Sequence, residues 1–250
     1  MVENVSRYEE LTDLDQATLI DRYAPPSDVD SWLRINMVSS IDGAVEVDGA
    51  SHQLSSADDM RVFKVLRMLC DVLITGAGTV RADGYRPVKM ASERLEWRRA
   101  HGRSDHPTMA VVTRDANLAL DAPLFTASPV PPIVITCAAA PKERRDALSR
   151  VAQVLVAGDE TVDFAQAQQH LHDSGLTQQL CEGGPHILGE LTAADLIDEM
   201  CFTLSPTMAG AGSGRITAGP RSPLRHMDLA HIIHANGNLL LRYTRARETA

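Results

Sequence analysis

From Trp32 onward, short apolar runs alternate with amphipathic helical segments, and that alternation restricts the chain to an α/β layer architecture. Leu33–Val38, Val72–Thr75, Met109–Thr113, Ile133–Thr136, Val154–Val156 and Gln179–Cys181 read as strands bounded by Gly, Pro or Asp, as buried parallel strands are. The clearest helix follows Ser55-Ser56, where Ser56 and Asp59 have capping-box spacing. Val62, Val65, Leu66 and Leu69 then recur on one helical face, and Pro141–Val151, Val162–Asp173 and Pro185–Leu191 read as further helices. Leu229–His234 and Leu239–Tyr243 flank Asn236-Gly237, a strong hairpin signal. The expected fold is a mostly parallel sheet flanked by helices, with a C-terminal antiparallel hairpin at its edge. Residues 1–30, polar and ending in Ala24-Pro25-Pro26-Ser27, read as an N-terminal extension with a short helix near Leu11–Tyr23. Residues 31–250 read as a single domain.

Charge narrows the function classes. The chain carries 24 Lys and Arg against 33 Asp and Glu, a net charge of −9. Nucleic-acid affinity is dominated by phosphate neutralisation, so a nucleic-acid partner is not expected. The four cysteines form no C-x-x-C pair and lie in apolar stretches, as free thiols in a reducing compartment do. Met1-Val2-Glu3-Asn4 lacks the pattern of a signal peptide, and the apolar stretch around Val130–Ala140 is broken by Pro131 and Pro132. A cytoplasmic chain with no membrane partner is expected. His231 and His234 stand three apart in a strand, on opposite faces, so no metal site is expected.

Two turns can carry chemistry. Ile74-Thr75-Gly76-Ala77-Gly78-Thr79-Val80 is a strand running into Gly-x-Gly, where Gly76 lets the backbone approach a phosphate or ring. Arg81 stands where a dinucleotide fingerprint has its third glycine, so this turn alone is equally a plain tight turn. Gln179-Leu180-Cys181-Glu182-Gly183-Gly184-Pro185 repeats the arrangement, with Pro185 opening a helix. The amino end of that helix would face the carboxyl edge of the sheet, where open α/β sheets bind ligands. Glu182 is either a substrate contact or an arginine-paired carboxylate. Ser39-Ser40-Ile41-Asp42-Gly43 adds a third turn, and the glycine-rich Met208–Gly214 reads as a flexible connection.

Taken in order and spacing, Asn36-Met37-Val38-Ser39-Ser40-Ile41-Asp42-Gly43, Gly76-Ala77-Gly78-Thr79-Val80-Arg81-Ala82-Asp83, Glu182-Gly183-Gly184, Leu196-Ile197-Asp198-Glu199 and Ser205-Pro206 carry a resemblance. Over roughly residues 32–245 the chain resembles the riboflavin-biosynthesis reductases. The H-x-E and P-C-x-x-C motifs of the bifunctional deaminase–reductases are absent, so the resemblance is to the reductase half. It implies a dihydrofolate-reductase-like fold, NADPH as hydride donor and commonly a homodimer. The implied reaction reduces the ribosyl group of 5-amino-6-(5-phosphoribosylamino)uracil to ribityl, with hydride delivered to the sugar C1′.

Carried over by position, the resemblance places Val38, Gly76, Thr79, Asp83, Gly183 and Gly184 against the cofactor, together with Pro185, His186, Ile187 and Leu188. Ser51 and Arg67 match substrate positions, and Glu182 matches the acidic substrate contact and is the expected catalytic residue. Arg114 falls at the adenosine end, either pairing with a 2′-phosphate or standing in solvent. Where many family members have D-D-P-x-L-x-x-x-R, this chain has Asp83-Gly84-Tyr85-Arg86-Pro87-Val88-Lys89-Met90. The family arginine that holds the ribose phosphate has no aligned counterpart, and Arg86 or Lys89 is the expected replacement. Ala91–His106 reads as an insertion, a helix with a loop that either covers the active site or, as the favoured reading, decorates the surface. The competing readings are a pterin or dihydrofolate reductase on the same fold, and an NADP-binding module without catalysis.

Overall fold

The apolar runs after Trp32 become the middle of a ten-stranded sheet in the computed structural model, which describes residues 7–83 and 85–246. The first part of the chain forms β1 (Arg7–Glu10), α1 (Gln16–Tyr23), β2 (Trp32–Ser40), α2 (Ala57–Leu69), β3 (Val72–Gly76), α3 (Ala77–Asp83) and α4 (Ser92–Ala100). Next come β4 (Thr108–Val112), α5 (Pro123–Thr126), β5 (Ile133–Thr136), α6 (Lys142–Leu148), β6 (Gln153–Val156) and α7 (Phe164–Asp173). The last part forms β7 (Gln178–Cys181), α8 (Pro185–Ala193), β8 (Glu199–Ser205), β9 (Met227–Ala235) and β10 (Asn238–Arg245).

The strand order is β1-β9-β10-β8-β2-β7-β3-β4-β5-β6. Neighbouring strands are parallel except where β10 meets β8 and β9. Val72, Leu73, Ala110, Val111, Val134 and Ile135 are buried on both sheet faces, which is why these strands read as unbroken apolar runs. Each such Val, Leu or Ile side chain contributes about 1.5–3 kcal/mol of hydrophobic stabilisation.

Three expectations are corrected. The hairpin β9–β10 is not the rim, because β1 pairs in parallel beyond β9. Residues 7–23 do not stand before the domain: Leu11, Leu14, Leu19, Ile20 and Tyr23 are buried in the same core cluster as Val62, Val65 and Leu66 of α2. The 91–106 insertion is no surface decoration. Arg98 of α4 is fully buried, and its Nη1 donates to the carbonyls of Met68 and Cys70 at 2.7 and 2.6 Å, where α2 ends. Those carbonyls lack helical partners, so α4 acts as the C-terminal cap of α2. At the other end of α2, Ser56 Oγ accepts from the Asp59 N–H at 3.1 Å. The Asp59 carboxylate accepts from Ser55 and Thr203 hydroxyls, so only half of the capping box forms.

The fold opens a cleft where strand pairing stops. β7 pairs with β2 at Trp32–Ile35 and with β3 at Val72–Ile74, then parts from β2, while the Glu182 N–H and the Gly183 carbonyl still bond Ile74 and Gly76 of β3. Past that point β2 has lost its β7 neighbour, and Asn36, Met37 and Val38 are half-buried between buried ends of the same strand. β7 is also the place where the chain order reverses, the usual position of ligand crevices in open α/β sheets. The loop after β8, expected to be a flexible connection, is fastened across the end of this cleft. Asp42 accepts from the N–H groups of Ala209 and Gly210, and Ser213 Oγ accepts from those of Val45 and Glu46. Hydrogen bonds from Ser40, Gly210 and Ala209 hold the Asp42 carboxyl down at about 2. Farther along, Ala218 packs so closely on α8 that a Cβ at Gly189 would lie 2.0 Å from its carbonyl oxygen.

Candidate active site

The two glycine turns are stitched together by main chain. The N–H of Gly76 donates to the carbonyl of Gly183 at 2.8 Å, joining the ends of β3 and β7. Gly183 has φ +92°, a conformation strained for any residue with a Cβ, and a Cβ at Gly184 would stand 3.0 Å from Thr79 Oγ1. A Cβ at Gly76 would stand 3.1 Å from Ile187 Cδ1. Gly76 leads directly into α3, so the first turn is the start of a helix rather than an open loop. Gly184 is the N-cap of α8, gives no side-chain cap, and is followed by Pro185 at the first helical position. The N–H groups of the first turn of α8 therefore remain available to an anion.

Beside these turns lies a buried ionic cluster. Arg67, near the end of α2, donates from Nε to Glu182 Oε1 at 2.7 Å and from Nη2 to Glu182 Oε2 at 2.6 Å. The Tyr85 hydroxyl donates to the same carboxylate and accepts from Arg67 Nη2 at 3.2 Å. The guanidinium lies over the Phe63 ring at 4.0 Å and 5.5 Å from the centre of the Tyr85 ring, a clamp with cation–π character. Burial works against the charge on Arg67, but the Glu182 carboxylate outweighs it and holds the guanidinium firmly protonated. Burial, reinforced by Glu182, pushes the Tyr85 phenol well above its ordinary range, so it keeps its proton. The Glu182 side chain is only 3% exposed, while Arg67 is 20% exposed and faces a cavity of about 550 Å³.

The expected site residues divide accordingly. The structure brings Arg67 and Glu182 together, but as partners of each other, with Glu182 turned away from solvent. Arg86 lines the cavity beside Arg67. Val38 stands on the open part of β2, and Gly76, Thr79, Gly183, Gly184, Pro185 and Ile187 converge at the stitched turns, with His186 and Leu188 next along α8. Asp83 closes α3, and its side chain lies outside the described residues. Ser51 sits in the loop before α2, and no described hydrogen bond joins it to Arg67 or Glu182. Arg114 is exposed past the end of β4, its Nε donating to the Glu160 carbonyl at 3.2 Å. Sequence reasoning missed Phe63, Tyr85 and Arg94. Phe63 and Arg67 share a helical face at i, i+4, a signal that was there to be read. The other two depend on the path of the 85–91 segment.

A family model described as the RibD C-terminal domain matches residues 31–241. The chain belongs to this family. It is 28% identical over 180 residues to the 2,5-diamino-6-ribosylamino-4(3H)-pyrimidinone 5′-phosphate reductase of Archaeoglobus fulgidus, covering 72% of this chain and 82% of that protein. It is 29% identical over 199 residues to the Aquifex aeolicus reductase of the same name, covering 77% and 84%. Among solved structures, a pyrimidine reductase-like protein from Corynebacterium diphtheriae superposes with a TM-score of 0.78 at 22% identity, covering 87% of this chain and 93% of that one. The riboflavin biosynthesis reductase of Saccharomyces cerevisiae gives 0.66 at 15% identity, covering 93% and 100%. The RibD of Acinetobacter baumannii is matched over 58% of its length. The reductase-type α/β fold implied by the resemblance is thus the fold observed. Among the described residues no helix is long and apolar enough to cross a membrane.

Proposed function

We propose that this chain is an NADPH-dependent reductase of a phosphoribosylaminopyrimidine in riboflavin biosynthesis, converting the ribosyl group to ribityl by hydride delivery to the sugar C1′. The observation that carries this reading is a juxtaposition. The stitched glycine turns and the Arg67–Glu182–Tyr85 cluster flank one cleft at the carboxyl end of β7. The curated relatives are named for the 2,5-diamino pyrimidinone phosphate, and the resemblance implies the aminouracil phosphate. Both present the same phosphoribosylamino group to the cleft.

When bound, the nicotinamide supplies the hydride, and the protein contributes position and electrostatics. Gly76, Gly183 and Gly184 let the two turns pack against each other, because a Cβ at two of them would meet Ile187 or Thr79 and at the third would be strained, and this brings the start of α8 to the cleft where a pyrophosphate would bind. The first turn of α8, at His186 and Ile187, would hold that pyrophosphate through free N–H groups and the helix dipole. Val38, on the open stretch of β2, would lie under the ring, with Thr79 and Asp83 along the cofactor and Arg114 reaching a 2′-phosphate. On the substrate side, Arg67 reaches the cavity, and no described hydrogen bond uses its Nη1. Glu182 then acts by fixing Arg67 and Tyr85 rather than by touching solvent-borne groups. The resemblance also implies a homodimer, which sedimentation would test.

The deciding assay follows NADPH oxidation by purified protein with the aminouracil phosphate, the diaminopyrimidinone phosphate and dihydrofolate in parallel. Turnover of either pyrimidine supports the reading. Turnover of dihydrofolate alone would replace it with a pterin reductase.

A further inference from the structure

The cavity beside Arg67 holds a charge imbalance that the pairing with Glu182 leaves unexplained. Lys64 of α2, Arg86 and Lys89 of the following segment, and Arg94 of α4 all line it. None of these four takes part in the described ion pairs. No carboxylate stands among the described residues that line it, although the chain as a whole carries a net charge of −9. Crowded like charges repel, so this arrangement is unfavourable by itself.

Arg94 is the least comfortable of the four. Its Nε is buried and has no hydrogen-bond partner among the described residues. It lies in the first turn of α4, where the helix dipole disfavours a cation, and Ala91 gives that turn no side-chain cap. Glu93 beside it is exposed and makes no described ion pair with it. Position explains how Arg94 is held there. Arg94 and Arg98 are i, i+4 on one face of α4, and Arg98 is fixed to the carboxyl end of α2 through Met68 and Cys70. The same face therefore brings Arg94 back along α2 toward Lys64 and Arg67. A dianion between these groups would offset both the repulsion and the dipole penalty.

We propose that α4 supplies Arg94 as the anchor for the substrate's phosphate monoester, with Lys89 and Arg86 flanking it. This helix lies in the insertion, so the phosphate is gripped from a different part of the chain than the segment that carries the family's arginine. The proposal rests on the phosphoribosyl reading above and names the residue that gives it specificity for a phosphorylated substrate. A guanidinium suits the role because it meets phosphate through two parallel N–H donors.

The test uses ribose 5-phosphate as the probe, titrated calorimetrically into the full chain and into Arg94→Ala, Arg94→Gln, Arg94→Lys and Arg99→Ala. Loss of one charge-assisted contact should weaken ribose 5-phosphate binding roughly tenfold to hundredfold in the Ala and Gln variants. Arg94→Lys should recover part of the loss. Arg99→Ala, which removes only the exposed pair with Asp105, should bind as the parent does. With reductase substrates, Arg94→Ala should raise KM for the phosphorylated pyrimidine by the same factor, leave kcat within about threefold, and leave kcat/KM for the dephosphorylated nucleoside unchanged. Parent-like binding of ribose 5-phosphate by a folded Arg94→Ala or Arg94→Gln protein overturns the proposal, as does absence of binding by the parent. Arg94-dependent binding without turnover of either pyrimidine would uphold the anion site and remove the reaction assigned to it.

Discussion

Two buried glutamates, each gripped by arginine, do different work in this molecule. Glu199, at the start of β8, is fully buried between Arg34, Arg242 and the Trp32 indole, at 2.6, 2.9 and 2.8 Å. Both arginines also reach past it, Arg34 to the Tyr23 carbonyl and Arg242 to those of Arg22 and Ala24, so the cluster clasps the end of α1 to the sheet. Glu182 has an equally tight bidentate arginine, but Arg67 is 20% exposed, stacked on Phe63 and turned toward a cavity, against 6% and 11% for Arg34 and Arg242. The chemistry of the pair is the same. What separates the two is where the rest of the guanidinium goes: onto backbone carbonyls in one case, toward an open cavity in the other.

That contrast can be broken most easily at Glu199. Glu199→Ala leaves two buried arginines without their counter-charge, and should cost about 3–5 kcal/mol in urea unfolding. A loss below about 1 kcal/mol, the range of an exposed pair, would erase the distinction.

Acid probes the same cluster more gently. His231 packs edge-on against Tyr23, and burial, aided by Arg242, pulls its imidazole down to about 4 from an ordinary 6.5. The unfolded chain therefore binds the proton first, so stability is complete above pH 6.5 and declines as pH falls toward 4. Glu199 is held at about 2 against an ordinary 4.5, because its arginines overcome burial, and adds a second loss between those values. Each displacement corresponds to about 3 kcal/mol. Melting temperature should begin to fall near pH 6.5 and more steeply below 4.5. A flat profile between those two values would remove His231 from the account.

The smallest free-energy effect is expected at the Arg67–Glu182 pair. Glu182→Gln should lower kcat roughly 100-fold through loss of orientation at Arg67 and Tyr85, with NADPH affinity within about twofold. Its unfolding free energy should drop by less than that of Glu199→Ala. Equal losses in turnover and cofactor affinity would show that Glu182 supports the whole cleft and not the substrate side.

What could be read from the sequence follows from which signals are local. β3, β4 and β5 announce themselves because both faces are apolar, and α2 because its core positions recur every turn. β8 did not, for a physical reason: its inward positions are Glu199, Cys201, Thr203 and Ser205, while Met200, Phe202 and Leu204 are less buried. That reverses the usual alternation and is tolerated only because Arg34 and Asp59 meet the inward polar groups. β1, Arg-Tyr-Glu-Glu, carries no apolar pattern and is a strand because β9 offers it an edge. In the candidate site, Glu182 stood out through the glycine turn and Arg67 through the family resemblance. That they would bind each other, with Tyr85 as third partner, depends on the course of a loop that no local pattern encodes. Arg98 was equally hidden, since a charged helix residue gives no sign that it will be buried.

The cap that Arg98 places on α2 makes the segment around α4 hard to remove. A segment gained at the surface can ordinarily be trimmed again, residue by residue, without penalty. Here removal would expose the carbonyls of Met68 and Cys70 and unmoor the helix that carries Arg67. A deletion spanning 91–106 therefore costs more than the trimming of an ordinary surface loop, because it strips the end of α2 of its cap.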